Sequence, residues 1–227
     1  MRILFEDNHV LVAVKPPMVP TQADASGDAD MLGMVREYLR ETYHKPGNVY
    51  VGLLHRLDRP VGGVMVFAKT SKAASRLSRQ IREGGMQKEY LAVVHGLPPA
   101  EGRMEDFLLK DGTKNRVKVV REGIPGAKWA ALSFRREAAR RDRSLVRVFL
   151  ETGRPHQIRV QFASRGYPLL GDMRYGRGEG GGIALYSAGI GFAHPVSGER
   201  LFFASLPHGG FFREFSENAP ETGSLFL

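Results

Sequence analysis

The sequence predicts an α+β fold, a largely antiparallel mixed β-sheet with flanking helices, and three observations carry that expectation. Between 107 and 152 the runs FLLK, NRVKVVRE, WAALSFRRE and SLVRVFLET follow one another with polar turns between them, the pattern of strands that return on themselves. Two other stretches, 31–43 and 71–82, repeat their apolar residues at helical spacing. A chain of 227 residues with 42% hydrophobic content can bury one sizeable core, and no repeat or interdomain linker divides it. A single domain over 1–227 is therefore expected, with about 214–227 as a loosely held tail.

The elements follow in order. RILFEDNHVLVAVKPP reads as two short strands around an Asp-Asn turn, stopped by Pro16 and Pro17, and TQADASGDAD as a polar loop. Asp30 caps a helix whose buried stripe is Met31, Val35, Leu39 and Tyr43, while Arg36, Glu37 and Arg40 stay wet. After the KPGN break, VYVGLLHRLD and GVMVFAKT are strand-like runs around a short RPVGG connection. A second helix takes Ser71 as N-cap and Ala74, Leu77 and Ile81 as its stripe. KEYLAVVHG is a strand ended by Gly96 and Pro98, and the four runs already named come next. RPHQIRVQFASRG changes to a helical period and ends at Gly166; GRGEGGG is a loop, and GFAHPVSGERLFFAS a hairpin turning at Ser197-Gly198.

Composition narrows the function classes. Lys and Arg outnumber Asp and Glu by 33 to 24, a net charge of +9, which favours polyanions such as nucleic acid. With no cysteine, disulfides, thiolate nucleophiles and thiolate-bound metals are excluded, which fits a cytoplasmic protein. The N-terminus interleaves charges with its apolar residues, unlike a signal peptide, and no stretch is long enough to span a bilayer. The seven histidines are scattered without an i, i+4 pair, so no metal site is expected. Gly176, Gly178 and Gly181 satisfy G-x-G-x-x-G, but a strand-like segment follows where a nucleotide-binding loop opens a helix, so dinucleotide binding is discounted.

Two stretches can carry chemistry. LLHRLDRPVGGVMVFAKT sets His55, Arg56, Asp58 and Arg59 between apolar runs, where a carboxylate withdrawn from water needs a cation beside it. ETGRPHQIRVQFASRG gathers Arg154, His156, Gln157 and Arg159 at a turn-to-helix boundary, suited to phosphate or base recognition. Spacing alone leaves open that both are surface turns with solvated charges.

HRLDRPVGGVMVFAKT resembles the H-R-L-D motif of the RluA-type pseudouridine synthases of the RluA/RsuA superfamily, and TGRPHQIRVQFASRGYPLLGDMRYG resembles their downstream T-G-R-x-H-Q-I-R-V-H block. ILFEDNHVLVAVKPP and KEYLAVVHG add further similarity in the right order. The resemblance implies the pseudouridine synthase fold with loops that clasp RNA, and isomerisation of a uridine in tRNA or rRNA without cofactor or metal. It assigns Asp58 the central role, as nucleophile towards the ribose or as electrostatic partner of an elimination. It makes Tyr90 the ring that stacks on the base and Arg159 the guanidinium that pairs with Asp58, Arg154 being the rival for that pairing. The target uridine must be everted; the resemblance implies that Arg56 occupies the vacated space or holds the displaced strand. Arg59, Arg154, His156 and Gln157 complete the RNA-facing set, with His55 either facing RNA as well or only bracing the loop, and the basic segments LLKDGTKNRVKVVRE and FRREAARRDRSLVR supply cations for the backbone.

Departures are Val61-Gly62-Gly63, where relatives carry Thr-Ser-Gly, and Gln161, where a histidine is common; both put local RNA contacts in doubt. The pattern begins at the first residues, so a stand-alone catalytic domain, acting as a monomer and lacking the small S4-like domain of many relatives, is expected. A non-catalytic RNA-binding module on the same scaffold is the main alternative. A nucleoside hydrolase is disfavoured because one Asp paired with an Arg, rather than two carboxylates, marks the site.

Overall fold

The computed structural model describes residues 1–44 and 46–216. Among them, eleven strands form one sheet in the order β1 (Arg2–Glu6), β2 (Val10–Lys15), β4 (Gly62–Ala68), β10 (Leu185–Ala193), β5 (Gln87–His95), β9 (Arg143–Leu150), β8 (Lys128–Arg140), β6 (Glu101–Asp111) and β7 (Arg116–Val120). β3 (Gly52–Leu53) adds to β4 and β11 (Arg200–Ala204) to β10. Every neighbouring pair is antiparallel except β4 and β10, where Tyr186 and Ser187 run parallel to Gly62 and Gly63. This is the mixed, largely antiparallel sheet the sequence predicts.

The parallel seam depends on a missing side chain. Gly63 sits at φ +125°, and a Cβ there would fall 2.2 Å from the carbonyl oxygen of Ser187. Only glycine allows the two backbones to close. The Val61-Gly62-Gly63 departure thus lies at a strand seam, with Val61 itself buried.

Helices cover both faces. Met31, Val35 and Leu39 of α1 (Met31–Thr42) and Ile158 and Phe162 of α3 (Gln157–Ser164) pack on one face against Leu11, Ala13, Met65, Phe67, Tyr90 and Ala92. Leu77 of α2 (Ser71–Arg82) packs on the other, with Val10, Val12, Val64, Val66, Ile190 and Phe192. Strands β2 and β4 are therefore buried on both sides, which explains why VLVAV and GVMVFA read as unbroken apolar runs instead of alternating ones.

Local details differ from the sequence reading. Asp30 caps α1 by accepting from the Gly33 amide at 3.0 Å, but Tyr43 leaves the buried stripe: it is exposed, and its hydroxyl donates to Glu6 at 2.8 Å. Thr70, not Ser71, caps α2, and Ala73 with Leu77 is its buried pair, Ala74 and Ile81 being half-buried. The run 49–58 yields only the two-residue β3, because beyond it the His55 ring, not a backbone carbonyl, takes the Val66 amide of β4. The expected tail from about 214 begins inside α4 (Arg213–Ser216), with Phe215 buried beside Val93, Leu170 and Ala184. Residues 217–227, and Lys45 of the KPGN break, lie outside the described residues. No helix among the described residues is long and apolar enough to cross a membrane.

Candidate active site

Asp58 is presented by a loop fixed from both sides. Thr21 Oγ1 donates to the Leu57 carbonyl at 2.8 Å and accepts from the Leu57 amide at 3.2 Å, while the Leu57 side chain is buried in the core. Asp58 O then accepts from the Val61 amide at 2.9 Å, closing a tight turn. Beneath it lies Lys15, fully buried at the end of β2, whose three ammonium protons meet the carbonyls of Pro16 (3.1 Å), Val19 (2.5 Å) and Arg59 (3.1 Å). Lys15 thereby ties the Pro16-Pro17 loop to the Asp58 loop. Burial pulls its pKa down to about 8, against the opposing pull of Asp58 and with a smaller push from Arg59.

Arg159 joins two carboxylates. Its Nε and Nη2 grip Asp172 at 2.8 and 2.7 Å as a two-pronged pair, and its Nη1 donates to Asp58 Oδ2 at 2.8 Å. Asp172 is completely buried, whereas the Asp58 side chain keeps 30% exposure at the cleft. Burial opposes the charge on Arg159, but hydrogen bonds and charge from Asp172 and then Asp58 outweigh it and hold the guanidinium above its ordinary pKa. Asp172 is likewise held low: burial would raise it, but Arg159 and the amides of Arg174 and Tyr175 dominate. One carboxylate anchors the guanidinium; the other is oriented by it and remains reachable.

Tyr90, on β5, lines the same cleft with Asp58, Arg159 and the apolar Val61, Leu150, Ile158 and Leu185. Its phenol is pushed above its ordinary pKa, first by burial and then by the negative charge of Asp58, so it is a neutral ring and proton donor at neutral pH. An aromatic face, a reachable carboxylate and a fixed cation on an apolar floor can hold a planar base and act on the atom that bears it.

Residues 9–164 match the RNA pseudouridylate synthase family. The chain belongs to that family. It is 33% identical over 215 residues to the ribosomal large subunit pseudouridine synthase C of Buchnera aphidicola subsp. Acyrthosiphon pisum (strain APS), covering 88% of this chain and 65% of the relative. It is 33% identical over 221 residues to ribosomal large subunit pseudouridine synthase D of Zymomonas mobilis subsp. mobilis (strain ATCC 31821 / ZM4 / CP4), covering 91% and 69%. The chain thus spans about two thirds of the length of these relatives. Its fold is that of human RNA pseudouridylate synthase domain containing 4, with a TM-score of 0.76, 20% identity, and coverage of 91% of this chain and 88% of that one.

Within this pseudouridylate synthase scaffold the residues singled out in the sequence divide. Asp58, Tyr90, Arg159, Arg56, Arg154, His156 and Gln157 all line the cleft. Between the two rival arginines, Arg159 makes the pair with Asp58, and Arg154 Nε donates instead to the Trp129 carbonyl at 2.9 Å. Arg56 is exposed and makes no hydrogen bond or ion pair with the described residues, leaving its guanidinium open to a ligand. His156 lies at 3.8 Å from Asp58, and burial, more than its charged neighbours, lowers its pKa.

Three of the residues expected to face RNA have polar atoms engaged within the fold. His55 is turned into the fold: Nε2 accepts from the Val66 amide at 3.1 Å, and burial of the ring, with a small push from Lys88, brings its pKa to about 4. Arg59 is occupied by the loop opposite, donating to the Met18 carbonyl at 3.2 Å and Ser26 Oγ at 3.0 Å and pairing with Asp28. Gln157 reaches the cleft wall only as a brace. Its Oε1 accepts from Thr152 Oγ1 (2.8 Å) and the Arg154 amide (3.0 Å), and its Nε2 donates to the Ala131 carbonyl (3.0 Å). Gln161 is fully buried with Nε2 donating to Asp106 at 2.7 Å, so its difference from the common histidine bears on packing under α3 instead of on an RNA contact. In the basic FRREAARRDRSLVR segment, Arg147 is buried between Glu89 and Glu137.

Asp172, Lys15 and Tyr175 are site residues that sequence reasoning passed over. Each stands in a stretch with family resemblance, but no signal of its own marks it; nothing in local spacing ties Asp172 to an arginine thirteen positions earlier. Among the described residues no group of histidine and carboxylate side chains could hold a metal.

Proposed function

We propose that this protein isomerises a uridine of RNA to pseudouridine, with Asp58 as the group acting at the ribose. The supporting observation is the clamp: Asp58 is held at 2.8 Å by a guanidinium that a buried Asp172 fixes from behind, in a cleft shared with Tyr90. In the reaction the bond from C1′ to N1 breaks, the uracil turns, and a bond from C1′ to C5 forms. The C5 proton leaves and N1 regains one. Atoms and electrons balance without a cofactor, metal or redox partner. A carboxylate suits the ribose step because it is both a nucleophile and a leaving group. Tyr90 supplies the face on which the base stacks and a hydroxyl that assists proton transfer.

The uridine enters by eversion, and Arg56 at the cleft mouth, which pairs with none of the described residues, fills the space it leaves. Lys110, Lys114 and Lys118, exposed on the β6–β7 hairpin, meet the phosphate backbone. The names of the relatives support ribosomal large-subunit RNA as the substrate class; a cytoplasmic reaction by a monomer goes with that reading. Pseudouridine mapping of total RNA from cells with and without the protein tests the proposal: one or a few ribosomal sites should vanish. Asp58→Ala should abolish turnover while RNA binding stays within about threefold, since a negatively charged side chain contributes little to holding a polyanion. Undiminished turnover in that variant would remove Asp58 from the mechanism, and the absence of any lost site would favour a non-catalytic RNA-binding module.

A further inference from the structure

Tyr175 belongs to no step described above, yet its hydroxyl is the meeting point of three elements. The Val117 amide of β7 donates to Tyr175 Oη at 2.7 Å, and the same oxygen lies 2.8 Å from Nδ1 of His156, the residue that opens α3. The other ring nitrogen of His156, Nε2, is 3.8 Å from Asp58 Oδ2. The Tyr175 ring also sits under two guanidinium groups, Arg159 at 5.3 Å and Arg116 of β7 at 5.7 Å. Arg116 donates to the Arg174 carbonyl and Arg174 returns a bond to the Asn115 carbonyl, so the base of the β6–β7 hairpin is laced to segment 172–175.

Proton inventory sets the direction of this chain. The phenol oxygen already accepts from Val117, and its single proton is free to donate to Nδ1. Nδ1 as acceptor puts the imidazole proton on Nε2, facing the Asp58 carboxylate. The opposite tautomer would aim a bare lone pair at that carboxylate, an arrangement the field of Asp58 disfavours. His156 is also held in the left-handed region, at φ +51°, so the backbone fixes where the ring emerges.

We infer that Tyr175 is a positioning residue: through its hydroxyl it fixes the tautomer of His156 so that Nε2–H faces Asp58, and it couples the seating of the basic β6–β7 hairpin to alignment of that carboxylate. The catalytic part rests on the uridine-isomerase reading; the tautomer does not. RNA phosphates drawn to Lys110, Lys114 and Lys118 load the hairpin, and the Val117–Tyr175–His156 chain carries its position to the cleft.

Two measurements test this. In the free full-length protein with ¹⁵N-labelled histidine, two-bond ¹⁵N–¹H correlation spectra, assigned with His156→Asn, should show His156 as the Nε2–H tautomer; an Nδ1–H tautomer overturns the inference, whatever the activity. For the role in turnover, Tyr175→Phe removes one oxygen. It should lower kcat about tenfold, the scale of one lost hydrogen bond in the transition state, with RNA affinity within about twofold of wild type. His156→Asn tolerates the left-handed backbone and keeps an acceptor near the place of Nδ1 but has no group at Nε2. It should fall by a similar factor, and adding Tyr175→Phe should change it no more than about twofold. Multiplying losses in the double variant, or wild-type kcat in Tyr175→Phe, overturns the coupling. A wild-type protein without turnover would instead sink the isomerase reading and leave the tautomer measurement to judge the chain by itself.

Discussion

Two carboxylates share the guanidinium of Arg159, and neutralising each should have opposite consequences. Asp172 is completely buried and accepts four hydrogen bonds, from Arg159 Nε (2.8 Å) and Nη2 (2.7 Å) and from the amides of Arg174 (2.8 Å) and Tyr175 (3.1 Å). Asp172→Asn preserves the shape, but it leaves a buried guanidinium short of its main counter-charge and turns one amide N–H₂ toward donors. Breaking one partner of such a pair costs about 3–5 kcal/mol. Asp58 keeps 30% of its side chain in solvent, so Asp58→Asn should cost under about 1 kcal/mol. With a urea slope of about 3 kcal/mol/M for a domain of this size, the Asp172 variant should unfold about 1–1.7 M earlier and the Asp58 variant within about 0.3 M of wild type. Turnover should invert the emphasis: none in Asp58→Asn, and a slowed rate in Asp172→Asn wherever it is folded. An Asp172→Asn midpoint within about 0.2 M of wild type, or an Asp58→Asn protein equally destabilised, would refute the division into anchor and reactive group.

Other consequences can be measured on the same protein. His55 has a folded pKa of about 4 against an ordinary value of 6.5, so the unfolded chain takes up its proton first; stability from this group is complete above pH 6.5 and lost as pH falls towards 4. The loss should reach about 2–3 kcal/mol and be absent in His55→Gln, whereas Asp172, held below its ordinary 3.8, should add to acid sensitivity only at lower pH. A pH–stability curve unchanged by His55→Gln would contradict this. Gly63→Ala should prevent folding or cost more than about 3 kcal/mol, because a Cβ meets the Ser187 carbonyl at 2.2 Å; Gly27→Ala, with φ +73° but open space around it, should cost only about 1–2 kcal/mol, as thermal melts would show. If phosphate contacts dominate binding, affinity for single-stranded RNA should fall steeply with salt, and Arg56→Gln should reduce the slope of log K against log salt by about 0.7 for each phosphate it no longer neutralises. A salt-independent affinity would argue against a backbone-bound substrate.

The antiparallel run β6–β9 and the helices α1 and α2 were legible because each carries its own signal: strand-length apolar segments between polar turns, or apolar residues at helical spacing behind a capping side chain. Errors at this level were small and local, such as Thr70 displacing Ser71 as the cap and Tyr43 turning outward to reach Glu6. β3 was shortened for a different reason, since a side chain 11 residues away in sequence supplied the partner that a strand would have used.

At the cleft the division is sharper. The sequence by itself determined which residue types could do the chemistry: Asp58 between apolar runs, Tyr90 on a strand, and a cluster of arginines at a helix start are identities, and composition and order preserve identities. Only the tertiary structure decided which arginine meets Asp58, that Asp172 stands behind it, and that His55, Arg59 and Gln157 spend their polar atoms on the fold. The physical reason is that a charged or amide side chain reads the same in sequence whether its partner is RNA, a backbone amide or a carboxylate a hundred residues away. Burial and hydrogen-bond geometry, which arise when distant strands pair, choose among them.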